Sequence, residues 1–235
     1  MFSVIVPFYN ERNICKNYEI LSSYLKKNIP SYEIIFVNDG SSEKIVGPLS
    51  KLIKKDPNVK LISYAINRGR GYAVKQGFKN ASGNYLAYID ADLEISPMYL
   101  SPLFKKLKKY DIVIANKFHQ DSKVVSPLVR KFSSRLFNAA IQIGLGSRIK
   151  DHQIGLKGFH REAIEKVLLY VVEERWLFDL ELLYLLQKRN LSITDIPIKI
   201  TYGFKKIRSS FIVDFIKLFA IMLIIHHRHK NKAHE

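Results

Sequence analysis

An α/β fold, a mostly parallel sheet flanked by helices, is predicted by two features of the 235-residue chain. Short apolar runs of strand type alternate with segments of helical period, the arrangement that builds parallel sheets. Each run also ends in polar or acidic residues, and in such sheets the strand C-termini converge on one ligand crevice.

The first run, Phe2-Ser-Val-Ile-Val-Pro-Phe-Tyr-Asn-Glu11, reads as a buried strand that breaks at Pro7 into a polar loop. A helix carrying Cys15 as a packing residue follows. The second run, Glu33-Ile-Ile-Phe-Val-Asn-Asp39, ends in Gly40-Ser41-Ser42 and enters a helical pattern. The third, Val59-Lys-Leu-Ile-Ser-Tyr64, leads into Asn67-Arg-Gly-Arg-Gly71 and a helix with Ala73, Val74, Gly77 and Phe78 at helical spacing. The fourth ends in Tyr88-Ile89-Asp90-Ala91-Asp92. Side chains two apart in an extended strand share a face, so Asp90 and Asp92 are expected to reach one oxygen-liganded cation. That pair suits a metal-bound diphosphate, and with Asp39 it is expected to face a common site.

Composition narrows the partners. A hydrophobic content of 47% over this length supports one domain with a sizeable core, and a single cysteine excludes an internal disulfide framework. No charged-then-apolar signal segment precedes the first strand, so the bulk of the chain is expected to be cytoplasmic. The net charge of +17 calls for an anionic partner: nucleic acid, an acidic membrane surface or a phosphorylated lipid. No RNA-binding aromatic motif, zinc-finger spacing or helix-turn-helix pattern accompanies the basic regions, which argues against nucleic acid.

Two later segments are amphipathic. Pro127 to Gly146 places cations on one side and Phe132, Leu136, Phe137 and Ile141 on another. Residues 209–235 form an expected basic amphipathic C-terminal helix and tail, following a main domain at 1–208. Asp214 and Lys217 interrupt its apolar run, leaving too short a stretch to span a bilayer. Phe211, Ile212, Phe215, Leu218, Phe219, Met222 and Ile225 recur at helical spacing, so the segment either lies in a membrane interface or packs on the domain or on another subunit, as in a homo-oligomer. In the block Glu174-Arg-Trp-Leu-Phe-Asp-Leu-Glu-Leu-Leu183, Trp176, Phe178, Leu182 and Leu183 read as core. Asp179 and Glu181 beside that stripe are costly unless paired or functional, so one of them is a candidate to orient a substrate or take a proton.

Val-Pro-Phe-Tyr-Asn-Glu, Val-Asn-Asp-Gly-Ser-Ser, Asn-Arg-Gly-x-Gly-x-Ala, Asp-Ala-Asp-Leu-Glu and the block from Asp151-His-Gln-Ile-Gly occur in the order found in family 2 glycosyltransferases. Over about residues 2–210 the chain resembles that family's polyprenyl-phosphate branch. The resemblance implies the GT-A (Rossmann-like) fold, a nucleotide-sugar donor, Mg²⁺ or Mn²⁺ held by Asp90 and Asp92, and a dolichyl or other polyprenyl phosphate acceptor. It implies that Asp39 contacts the base or ribose and that Pro7, Tyr9 and Glu11 line the base pocket. Lys117, Arg130, Ser134 and Arg135 would bind the acceptor phosphate, with Gln153 and Gly155 in a loop behind it. Lys117 stands where the family generally has arginine. Lys205, Lys206 and Arg208 would belong to a loop closing over the diphosphate, with the family's Gly-x-Ser-Lys altered here to Gly-Phe-Lys-Lys.

The implied reaction is inverting, because an anionic phosphate oxygen displaces the nucleotide directly and needs little general-base help. Two other readings stay open on the sequence. One is a family 2 enzyme acting on a saccharide or protein hydroxyl, with Asp179 or Glu181 as base; the other is a non-enzymatic binder of anionic surfaces on a relic fold.

Overall fold

The computed structural model describes residues 1–202 and, beyond them, 218–220, 222–225 and 227. The domain boundary at 208, the basic loop of Lys205, Lys206 and Arg208, and most of the C-terminal amphipathic segment therefore lie outside the described residues.

The first four strands are parallel: β1 (Phe2–Phe8), β2 (Tyr32–Asp39), β3 (Val59–Tyr64) and β4 (Tyr85–Ile89). Between them run α1 (Ile14–Asn28), α2 (Glu43–Ile53) and α3 (Arg70–Asn80). After α4 (Leu100–Leu107) come β5 (Ile112–Asn116), β6 (Lys123–Val125), α5 (Leu128–Leu145), β7 (Leu156–His160), α6 (Arg161–Glu165), α7 (Phe178–Lys188), β8 (Ile193–Pro197) and β9 (Lys199–Thr201). The main sheet has the order β3-β2-β1-β4-β7-β5-β8, and β6 pairs with β9 apart from it. Among the described strands only β7 runs against its neighbours, β4 and β5. The order reverses between β1 and β4, and a crevice opens at such a switch point beyond the strand C-termini.

The core follows the sequence pattern. Val4, Ile5 and Val6 of β1, Ile34 to Val37 of β2 and Leu86 to Ile89 of β4 are buried on both faces, as strands covered by helices on each side must be. Ala73, Val74 and Phe78 of α3 are buried against them, as the helical spacing predicts. Pro7 does not break the first strand: it lies inside β1, in register with Val37, and Phe8 continues the pairing. Pairing of β1 with β4 ends at Ile5, so the missing N–H of Pro7 costs no ladder bond on that side.

A second, smaller core joins α5, α7 and the described part of the C-terminal helix. Leu218, Met222 and Ile225 bury against Phe137, Ile141 and Leu145 of α5 and Leu180 and Tyr184 of α7. Met222 approaches so closely that a Cβ at Gly144 would lie 1.9 Å from its Cε. These three residues pack on the domain, while Phe219, Leu223 and Ile224 are exposed.

Candidate active site

The two aspartates sit just past β4, in a turn and not in the strand itself. Leu93 N–H donates to the Asp90 carbonyl at 3.1 Å, and Leu93 takes a positive φ of 50°. The expectation of strand alternation is thus corrected, because the chain curls after Ile89. The convergence holds by another route: Asp90, Asp92 and Glu94 line one small cleft with Gln153, Gly155, Arg130 and Tyr202. The Asp90 N–H donates to the Gly155 carbonyl at 2.9 Å, and a Cβ at Gly155 would stand 1.9 Å from Asp90 Oδ2. Glycine is required there by that approach.

Asp90 does not stand alone. Arg70, the first residue of α3, donates through Nε to Asp90 Oδ1 at 2.8 Å and through Nη1 to Asp179 Oδ2 at 2.6 Å. Asp179 also accepts from the Tyr88 hydroxyl, and the ammonium of Lys157 lies 3.4 Å away. Lys157 is wholly buried and donates to the Ile154 carbonyl at 2.7 Å. Enclosure raises the Asp90 carboxyl, with Arg70 opposing. Enclosure would raise Asp179 too, but Lys157 and Arg70 outweigh it and hold that carboxyl below its usual range. Burial lowers Lys157.

Both acidic residues of α7 are engaged inside the protein. Asp179 is 2% exposed and spends its oxygens on Arg70, Tyr88 and Lys157. Glu181 is buried as well, and its Oε2 accepts the N–H groups of Val172 and Glu173 at 2.8 and 2.7 Å, holding that loop. Neither lines the cleft.

Asp39 is likewise bonded within the protein. Its carboxylate accepts from Arg68 N–H, Gly69 N–H and the Asn67 side-chain amide at 2.8–2.9 Å, fixing the turn before α3. Gly69, at φ 114°, is the residue that turn needs. Pro7 is buried, Tyr9 is exposed just beyond β1, and Glu11 closes the turn before α1 by accepting the Asn13 N–H at 2.9 Å. Asn10 links this loop to the next, accepting from Ser42 N–H while its own N–H reaches Ser41.

Adjoining the cleft is a cavity of about 620 Å³ beside the N-terminal half of α5. Lys117, Arg130, Ser134, Arg135 and Gln153, predicted together on the acceptor side, all line it. Arg130, Gln153 and Tyr202 line both spaces, so the cationic pocket opens directly onto the carboxylates. The Arg130 guanidinium lies 3.5 Å over the Tyr202 ring and 3.7 Å from Glu94. Burial pushes the Tyr202 hydroxyl up to about 12. Lys117 is tied down, its ammonium 2.7 Å from the buried Asp151. Phe178, Leu182 and Leu183 are core as expected. Trp176 is not: it is 38% exposed, lines the pocket and packs on Phe137.

Behind the pocket, Asn138 Oδ1 accepts both the backbone N–H and the ring Nδ1–H of His152 at 3.0 Å. His152 Nε2 then faces the Ser147 hydroxyl at 2.8 Å. Burial pushes this imidazole down to about 3.

Among the described residues no cluster of three or more carboxylate, histidine or cysteine ligands could cage a metal. Two carboxylates on an open cleft nonetheless fit Mg²⁺ or Mn²⁺, hard cations that take one or two protein carboxylates and complete their shell with substrate phosphate oxygens and water. The residues present therefore fit the group.

A mostly parallel sheet whose order reverses between β1 and β4, with carboxylates at the switch point, is an α/β architecture of the GT-A class. The chain belongs to glycosyl transferase family 2, whose family model matches residues 3–168. It is 34% identical over 215 residues to a dolichyl-phosphate beta-glucosyltransferase of Dictyostelium discoideum, covering 85% of this chain and 66% of that protein. The Saccharomyces cerevisiae protein of the same name is 31% identical over 218 residues, covering 83% and 65%. Glycosyltransferase AglD of Haloferax volcanii is 29% identical over 203 residues, covering 83% and 32%. The chain thus spans less than two thirds of the length of these relatives. Among solved structures, glucosyl-3-phosphoglycerate synthase from Mycobacterium tuberculosis in complex with Mn²⁺, UDP and glucosyl-3-phosphoglycerate superposes with a TM-score of 0.67 at 16% identity, over 97% of this chain and 79% of that one.

Several residues of the site carry no obvious mark in the sequence. Arg70 lies within a glycine motif, and Lys157 stands alone in an apolar strand, where a lysine is costly unless paired. That cost is the signal by which Lys157 is recognisable. Glu94 and Asp151 fall inside two of the family motifs, which mark their neighbourhood but not their partners, and Tyr202 offers no signal.

Proposed function

We propose that this chain transfers one sugar from a nucleotide-sugar to a polyprenyl phosphate of the dolichyl type, with inversion at the anomeric carbon. The observation that carries the reading is the junction of the two spaces: a pocket with Lys117, Arg130, Lys131 and Arg135 on its walls opens through Arg130, Gln153 and Tyr202 onto Asp90 and Asp92. A phosphate held at that junction lies beside the place where a diphosphate leaves. The relatives named dolichyl-phosphate beta-glucosyltransferase support glucose as the sugar and a lipid phosphate as the acceptor.

Each group has a role that its chemistry suits. Asp90 and Asp92 would hold Mg²⁺ or Mn²⁺, which when bound neutralises charge growing on the departing diphosphate. Arg130 would place the acceptor phosphate, its plane fixed by Tyr202 and suited to bidentate contact. Arg135 and Lys131 add positive potential at the mouth. The acceptor oxygen is already anionic, so no base is needed, in keeping with the internal use of Asp179 and Glu181. That same use disfavours a hydroxyl acceptor, whose proton would have to go to a nearby carboxylate.

A lipid acceptor requires a membrane surface, and α5 supports one. Leu128, Val129, Phe132, Leu136 and Ile143 fall within an arc of about 100° on this helix, and all are exposed, from 42 to 86%. Phe137, Ile141 and Leu145 occupy the opposite, packed face. The expectation of a single apolar face is thereby revised to two. An outward apolar stripe next to cations fits the acyl and headgroup layers of an anionic membrane. No helix among the described residues is long and apolar enough to cross a membrane.

The test is a panel of UDP-glucose, GDP-mannose and UDP-N-acetylglucosamine with dolichyl phosphate, followed by extraction of the product into organic solvent. The reading expects metal-dependent formation of a lipid-linked sugar, most strongly from UDP-glucose. Transfer to soluble saccharides or proteins with none to the lipid would overturn it.

A further inference from the structure

Asp179 lies at the N-terminus of α7 beside the cleft, a place where a carboxylate could serve as base, yet every neighbour it has is internal. Arg70 Nη1 and the Tyr88 hydroxyl donate to it, and Lys157 stands behind. Arg70 in turn reaches forward to Asp90 through Nε. One guanidinium thus joins two carboxylates 89 residues apart in the chain, one buried and one facing the cleft with 41% of its side chain exposed. Of the two Asp90 oxygens, Oδ1 is taken by Arg70, and Oδ2 lies against the bare Cα of Gly155.

A second observation separates Arg70 from an ordinary buried ion pair. Its Nη2 is buried without a hydrogen-bond partner among the described residues. Most buried side-chain donors find a partner. This one is held in a geometry that serves Nε and Nη1 at the expense of Nη2.

We propose that Asp179 is a positioning residue and not a base: through Arg70 it fixes Asp90 so that Oδ2 is presented to a divalent cation. This rests on the reading of Asp90 and Asp92 as metal ligands. The wall of the cleft is then set from behind, by residues of α3, β7 and α7 that touch neither metal nor substrate.

The experiment measures Mn²⁺ binding by the electron paramagnetic resonance signal of free Mn²⁺, with and without UDP, and then turnover as a function of Mn²⁺. Asp179→Asn and Arg70→Met should each weaken Mn²⁺ binding by about 10-fold or more, the effect expected when a ligand's orienting partner is lost. The double variant should bind no more weakly than Arg70→Met alone, because both changes cut one linkage. Arg70→Lys should recover part of the loss. Raising Mn²⁺ should restore turnover in Asp179→Asn, whereas loss of a base persists at any metal concentration. Should Asp179→Asn fail to fold, with Lys157 left unpaired, Arg70→Met carries the test, since it leaves Asp179 with Tyr88 and Lys157. Undiminished Mn²⁺ binding by the variants, with turnover lost at every metal concentration, would overturn the inference and make Asp179 the base. A wild-type protein that binds no Mn²⁺ even with UDP would overturn the metal reading itself, and this inference with it.

Discussion

At the ends of β2 and β4, the acidic groups at and behind the wall of the cleft are fastened from inside the protein. Asp39 accepts three hydrogen bonds from the turn before α3, Asp179 has Arg70, Tyr88 and Lys157, and Asp90 shares Arg70. In the pocket beside α5, Arg135 and Lys131 are exposed, Arg130 rests on an aromatic face, and only Lys117 is locked to a buried carboxylate. The first region is rigid because its side chains already have partners; the second keeps cations in water. A centre where charge develops gains from fixed dipoles and charges that need not reorganise. If the proposed lipid phosphate is the acceptor, its pocket gains from reach and potential, which exposed cations provide.

The largest test of this contrast is Asp92→Ala. It removes an exposed turn residue, so the fold should persist while turnover falls roughly 10²-fold or more, as when a group stabilising transition-state charge is lost. Melting temperature and turnover measured together check it; turnover unchanged in metal-free buffer would remove the cleft from the chemistry. On the other side, Arg130→Ala should raise the Michaelis constant for lipid phosphate by roughly 10-fold or more, the usual effect of one lost charge-assisted contact. The constant for nucleotide-sugar should stay nearly fixed. If the donor constant moves instead, the two regions are not separate sites.

Phe132→Glu addresses the outer stripe of α5. Sedimentation with anionic vesicles should drop by about 10-fold, because a side chain of this size contributes roughly 1.5–3 kcal/mol when buried. Equal sedimentation would move the contact to another surface.

The smallest effect concerns the buried network behind the pocket. His152 has a folded pKa of about 3 against an ordinary value of 6.5, so the unfolded chain binds the extra proton. Its contribution is complete above pH 6.5 and is lost as pH falls toward 3, at about 1 kcal/mol per pH unit. Between pH 6.5 and 5, above the carboxylate range, denaturant melts of the wild type should show this slope and those of His152→Asn should be flatter. Parallel slopes would mean that the imidazole is protonated in the folded state.

The succession of β1 to β4 along the chain, the apolar face of α3 and the extent of α5 were legible in the chain itself. Each is a local matter: a run of apolar residues has a period, and strand ends in a parallel sheet meet at one edge. Period tells that a helix has an apolar face but not what covers it, and so Phe132 and Leu136 looked like partners of Phe137 and Ile141 when the two pairs point to opposite sides. It was tertiary structure that placed β7 antiparallel between β4 and β5, laid Met222 across Gly144, turned Trp176 into the pocket and ran Arg70 from Asp90 to Asp179. Those contacts join residues far apart in sequence, and their energies depend on which buried charge finds which partner, a choice made only when the sheet has closed.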